Sequence, residues 1–189
     1  MPSPCTLLLA VLAAPQGERY VHEEPCFELV LPGADWKKLD QGAPGVLALV
    51  FTPVKDMTTR CSVLRFTESF LPDGLETREQ QIQQTAGALY ARVALEPGEI
   101  AGREATRWEY TIVGATSVEW AFQEDDGRWV IFQIAGTKLD WETPERRAML
   151  AAIPGTFEWT GGEAPELSAS VRSSPAELRA ARQPSPASA

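Results

Sequence analysis

The chain carries one histidine, His22, and three cysteines in 189 residues, and that scarcity closes off most catalytic chemistry. A zinc site needs three or four Cys or His ligands, and His22 with Cys26 is the one pair here at short spacing, with no second pair to complete a set. A Ser-His-Asp or Cys-His arrangement would have to use His22, and no pattern brings a nucleophile to it. The sequence has no G-x-G-x-x-G, no G-x-x-x-x-G-K-[ST] and no H-E-x-x-H, so nothing in it implies a nucleotide or metal cofactor. Catalytic residues, metal ligands and cofactors are therefore all expected to be absent. Basic charge is also scarce: 17 Lys and Arg stand against 26 Asp and Glu, a formal net charge of −9. Such a surface repels phosphate backbones and anionic lipid, which argues against nucleic-acid and membrane-surface partners. "EDDG" (Glu124 to Gly127) looks like a cation loop, but Asp-Gly between two strands reads better as a hairpin turn, where glycine supplies a positive φ.

No apolar run is long enough to cross a bilayer as a helix, which takes about 20 residues. The nearest is "CTLLLAVLAAP" (Cys5 to Pro15). It resembles the apolar centre of a secretory signal with an Ala-Ala boundary, though no Lys or Arg precedes it. Residues 1–19 are thus a candidate signal peptide, with an N-terminal strand or helix packed on the domain as the alternative. Cleavage would place the protein in the periplasm or outside the cell; retention would leave it cytoplasmic. The other end, residues 160–189, is rich in Gly, Pro, Ser and Ala and has no aromatic residue. It is expected to be disordered, since it cannot bury enough apolar surface to offset chain entropy.

Residues 20–159 hold the folded domain. In "FELVL", Phe27, Leu29 and Leu31 alternate with Glu28 and Val30, the period of a half-buried strand, and Pro32-Gly33 ends it. Trp36 follows in a polar turn. "VLALVFTPV" (Val46 to Val54) is almost continuously apolar and reads as a central strand, and "TRCSVLRFTES" (Thr59 to Ser69) as the next. A helix is expected in "LETREQQIQQTAGALYARV", with Thr77 and Gln80 as a capping box. Its apolar stripe would be Ile82, Ala86, Leu89 and Val93, and Arg78, Gln81, Gln84 and Thr85 would face solvent. Three strands follow: "TRWEYTIV" (Thr106 to Val113), "TSVEWAFQ" (Thr116 to Gln123) and "RWVIFQIAG" (Arg128 to Gly136). Thr143 and Pro144 then open a second helix with Met149, Leu150 and Ile153 on its apolar side.

This order predicts an α+β domain, an antiparallel sheet of about six strands with two helices packed on one face, a two-layer sandwich. Trp108, Trp120 and Phe122 become core residues. In the third of these strands Trp129 and Ile131 point away from Val130, Phe132 and Ile134. Val30 and Val63 are likewise out of phase with the stronger faces of their strands. These four, Trp129, Ile131, Val30 and Val63, would give the open face of the sheet a partly apolar character suited to a partner. Cys26 and Cys61, with a central strand between them, are too far apart to bridge and are expected to be free thiols.

The strand ending in Leu-Pro, the Trp after it and the long strand before "LPDGLETREQQIQQ" resemble the PsbP-like superfamily. "GEIAGREATRWEYTI" and the closing "AMLAAIPGTFEW" extend the likeness over about Glu24 to Trp159. The superfamily includes a Ran-binding nuclear import factor family, DcrB-type bacterial envelope proteins and the Eag-type adaptor chaperones of type VI secretion. The resemblance implies no catalytic residues. It implies a non-catalytic accessory or protein-binding module, of the bacterial cell envelope, that engages another protein through the open sheet face or its rim. The alternative is a cytoplasmic Eag-type adaptor that shields the apolar segments of a secreted effector, with a homodimer as the candidate assembly.

Overall fold

The computed structural model describes residues 17–43, 46–56, 58–67 and 70–161. Both the apolar run of residues 5–15 and nearly all of the C-terminal tail lie outside them. The domain is α+β with wholly antiparallel pairing, in two sheets rather than one. The small sheet has the order β1-β2-β10, formed by β1 (Glu18–Glu23), β2 (Cys26–Leu31) and β10 (Glu158–Gly161). Seven strands make the large one, in the order β3-β4-β5-β9-β8-β7-β6. They are β3 (Trp36–Asp40), β4 (Val46–Pro53), β5 (Arg60–Phe66), β6 (Tyr90–Ile100), β7 (Arg103–Ile112), β8 (Ala115–Gln123) and β9 (Trp129–Thr137). Among the described residues three α-helices complete the domain: α1 (Leu75–Ala86), α2 (Lys138–Glu142) and α3 (Pro144–Ala152).

The main core lies between the sheets. Phe27, Leu29 and Leu31 of β2 bury as their alternation predicts, and with Phe157 and Trp159 they pack on Leu49, Phe51, Val63, Phe122, Val130, Phe132 and Ile134 of the large sheet. Leu150 of α3 and Ile153 at its C-cap join the same core, with Met149 at its margin. The expectation of both helices on one face fails. Helix α1 lies on the opposite face, over Ile131 and Ala121, where Leu71, Leu75 and Trp129 form a second apolar cluster.

Strand β9 explains the error. It is the middle strand of seven, and Val130 to Gly136 are all buried. Apolar residues on both faces mark a strand covered on both sides, not one with an open face. Val46 to Val54, read as central, instead forms β4 beside the edge strand β3, and only Leu49, Phe51 and Thr52 of it are buried. Trp36 sits in no turn: it opens β3 and packs into the main core at 8% exposure.

Helix α1 stops at Ala86, because Gly87 takes a positive φ of 57°. Leu89 and Val93, expected on its apolar stripe, lie beyond its end at 58% and 57% exposure, and Val93 belongs to β6. Its start is capped by no side chain; the Thr77 hydroxyl accepts from the Asp73 N–H (3.4 Å), and Gly74 occupies the N-cap at φ 58°. A Cβ on Gly74 would come within 2.4 Å of the Trp129 ring, so only glycine lets the chain cross that indole. Helix α3 starts at Pro144 as expected. The short α2 before it has the capping box the sequence reading missed, between Thr137 and Asp140.

Cys26 and Cys61 are free, as expected, but for a different reason: they belong to different sheets, since β2 leaves the presumed meander to pair with β1 and β10. The folded chain also runs two residues past the expected boundary, because Thr160 and Gly161 are part of β10 and the Thr160 hydroxyl donates to the Cys26 carbonyl (3.1 Å).

Candidate functional site

Cross-strand register decides which side chains share a face. Trp108 pairs with Glu119 and Glu119 with Gln133, so these three project together, on the side of α1. Tyr110 pairs with Ser117 on that same side. Trp120 pairs with Phe132, and this pair faces the main core. Trp108 and Phe122 are thus both core residues, as the sequence predicts, but they occupy opposite faces of the sheet.

Beneath α1 the buried groups are largely polar. The Glu119 carboxylate, 0% exposed, accepts two bonds from Arg78 of the helix, Nε at 3.1 Å and Nη2 at 2.8 Å. It also accepts from the Tyr110 hydroxyl (2.8 Å) and from Gln133 Nε2 (2.7 Å). Burial together with the adjacent carboxylate pushes the Tyr110 phenol well above its ordinary range. For Arg78, burial works against the charge, and the Glu119 carboxylate outweighs it. Arg78 was expected in solvent; nothing in the pattern of α1 distinguishes it from Gln81 or Gln84. The next residue of the helix, Glu79, accepts from Tyr90 (2.5 Å) and Arg92 (2.8 and 2.6 Å). These are mutually satisfied charges that attach a helix to the sheet.

The other buried charge is similar. Asp140, 2% exposed, accepts from the Thr137 N–H (2.8 Å) and hydroxyl (2.7 Å), the Thr59 hydroxyl (2.9 Å) and Arg146 (2.8 Å). Burial raises its carboxyl, but those donors prevail and hold it below the ordinary value. His22 is likewise occupied, with Nδ1 2.9 Å from the Pro25 carbonyl and its ring stacked on Phe27. Asp126-Gly127 forms the expected turn, with Gly127 at φ 83°. Arg128 pairs with Asp126 and draws its carboxyl down to about 2. Among the described residues no group of three or more His, Cys, Asp or Glu is placed to hold a metal.

An open trough of about 770 Å³ crosses the large sheet from β6 to β9. Its lining residues include Leu95, Pro97, Glu104, Thr106, Ala121 and Trp129. Two cross-strand rows form its floor. One runs Pro97, Thr106, Ala121 and stops short of the buried Ile131; along the other, Glu99 stands opposite Glu104 and Gln123 opposite Trp129. Both rows project on the α1 side, where the small Thr106 and Ala121 leave the sheet low between larger neighbours.

The four residues expected on an open face do not come together. Trp129 is half-buried and lines the trough. Ile131, in the same strand, is fully buried under Leu71 and Leu75, because α1 covers that face. Val63 is fully buried in the main core, opposite Phe132. Val30, half-buried on the small sheet, lines a separate apolar cavity of about 280 Å³ with Pro32, Met149 and Ile153. The trough residues of β6 went unrecognised, because the expected helix ran on to Val93, across the first residues of that strand.

No helix among the described residues is long and apolar enough to cross a membrane. No protein-family model matches the chain, and no curated protein matches it, so the PsbP-like likeness stays a resemblance. Among solved structures the chain is similar to LpqN, described as involved in cell envelope biogenesis of Mycobacterium tuberculosis, with a TM-score of 0.44 and 13% identity over 76% of this chain and 90% of that one.

Proposed function

We propose that this chain is a non-catalytic accessory module of PsbP-like type, exported to the bacterial cell envelope, which engages another protein through the trough on its large sheet. The trough is the observation that carries this reading. It is about 770 Å³, lies across paired strands and presents Leu95, Pro97 and the half-buried Trp129 to solvent. The commitment of His22, Glu119 and Asp140 to structural bonds supports a binding role over catalysis. Export rests on the apolar run of residues 5–15. The Eag-type adaptor reading drew support from Trp129 and Ile131 on an open face, and of these only Trp129 lines accessible space, Ile131 being buried.

Photo-crosslinking in cells tests the proposal. A crosslinking residue placed at Gln123 or Thr106 should give one discrete adduct with a second protein, and the same residue at the exposed Lys138 should not. Mass spectrometry of the mature N-terminus should show a chain shortened within residues 1–19. Equal adducts at all three positions, or none, would refute the binding surface; an intact N-terminus would refute export.

A further inference from the structure

The trough has a chemical polarity of its own. Glu104 of β7 lines it, and Glu99 of β6 stands directly opposite Glu104 just outside the lining, both exposed on the same side of the sheet. Like charges facing across a strand pair destabilise the sheet. Other carboxylates of this region have partners: Glu96 and Glu109 are paired with Arg107, which projects from the other face. Among the described residues neither the Glu99 nor the Glu104 carboxylate has an ion pair or side-chain hydrogen bond, though the two residues pair in the β6–β7 ladder. The basic residues on the trough's own side, Arg78 and Arg92, are consumed by Glu119 and Glu79. At the far end of the same row, Trp129 offers an aromatic surface.

Resting on the binding role proposed above, we infer that the occupant of the trough is an extended peptide segment of a partner that is basic and apolar, placing a Lys or Arg against Glu99 and Glu104 and an apolar side chain about four residues away against Trp129. The geometry sets the spacing. From the carboxylate pair to β9 is about two and a half strand spacings, roughly 12 Å, and four residues of extended chain span roughly 13 Å with both side chains on one face. A segment lying there crosses the strands, so its affinity comes from side chains and not from a shared ladder. Charge also argues against a second copy of this chain, since two molecules of net charge −9 would bring the same carboxylate pairs together.

Titration of the isotope-labelled full chain, followed by backbone amide shifts, tests this with two synthetic peptides, acetyl-KTVTLTVTK-amide and acetyl-ETVTLTVTE-amide. The lysine peptide should shift amides in residues 95–106, 121–123 and 129, and the glutamate peptide should not. The double variant Glu99→Gln, Glu104→Gln should weaken the lysine peptide by about fivefold, the loss of two solvent-facing ion pairs. Raising the salt from low to physiological strength should weaken wild-type binding in the same direction. Equal trough shifts from both peptides would overturn the charge selection while leaving the trough a binding surface. Shifts elsewhere, or none at millimolar peptide, would overturn the inference, and crosslinks at Gln123 and Thr106 would then show whether the binding role falls with it. Concentration-dependent trough shifts without peptide would assign the site to a second copy.

Discussion

The two faces of the seven-stranded sheet are held by different physics. One face meets the small sheet and α3 through Phe51, Val63, Phe122, Phe132 and Ile134, all nearly inaccessible, in a continuous apolar core. Non-directional burial of that kind stabilises by roughly 25 cal/mol per Å² and tolerates many partners. The other face meets α1, a helix with no buried residue, and its contacts centre on Arg78 and Glu119 with Tyr110 and Gln133 around them. A buried ion pair adds little net stability, but removing one member is costly, so it fixes where α1 lies more than how tightly it is held. The trough begins where α1 leaves the sheet uncovered, and the placement of α1 thereby bounds the site.

The largest effects should come from the aromatics that anchor each face. Trp108→Ala on the α1 side and Phe122→Ala on the sandwich side should each destabilise by about 3–5 kcal/mol in urea titration. A loss below about 1 kcal/mol for Trp108 alone would show that the α1 side contributes little to global folding. Next comes the ion pair. Arg78→Met leaves a buried carboxylate with two neutral donors and should cost about 3 kcal/mol, whereas the double variant Arg78→Met, Glu119→Leu should recover much of it. If single and double variants were equally unstable, packing and not charge would hold α1.

Asp140 gives a smaller, pH-dependent contrast on the sandwich side. Its folded carboxyl titrates below the ordinary value, so its contribution is complete above the unfolded pKa of about 4 and is lost as pH falls through the lower folded one. Asp140→Asn should therefore cost about 2 kcal/mol at neutral pH, and the gap from wild type should close on acidification below about pH 4. A gap that stayed constant down to pH 2 would remove the linkage. The smallest effect is expected from the tail. Truncation after Gly161 should leave the thermal midpoint unchanged, and a loss of several degrees would show that residues 162–189 pack on the domain.

Alternation made β2, β7 and β8 legible, and Thr143-Pro144 marked the start of α3. Three things were not legible, each for a physical reason. The two-sided apolarity of β9 is the mark of a central strand, and periodicity alone could not tell a face covered by a helix from an open one. Leu89 and Val93 continue the helical spacing of α1, and only the positive φ at Gly87 breaks it. Trp108 and Phe122 fall on opposite faces because of how β7 and β8 align, which depends on pairing between strands and not on either strand alone. The same gap hid the trough, whose floor is a set of cross-strand rows.

The closing strand bears on the order of assembly. β10 pairs with β2, and the bond from Thr160 to Cys26 joins residues 134 positions apart. In contrast, β6 to β9 are successive hairpins whose partners adjoin in sequence. Contacts of short sequence separation close at small entropic cost, so this meander is the part able to form during synthesis. The small sheet cannot be completed until almost the whole domain has emerged. Until then the apolar side of the meander, with Phe122, Val130 and Phe132, stands uncovered, which makes the nascent chain, rather than the finished protein, the species most exposed to aggregation.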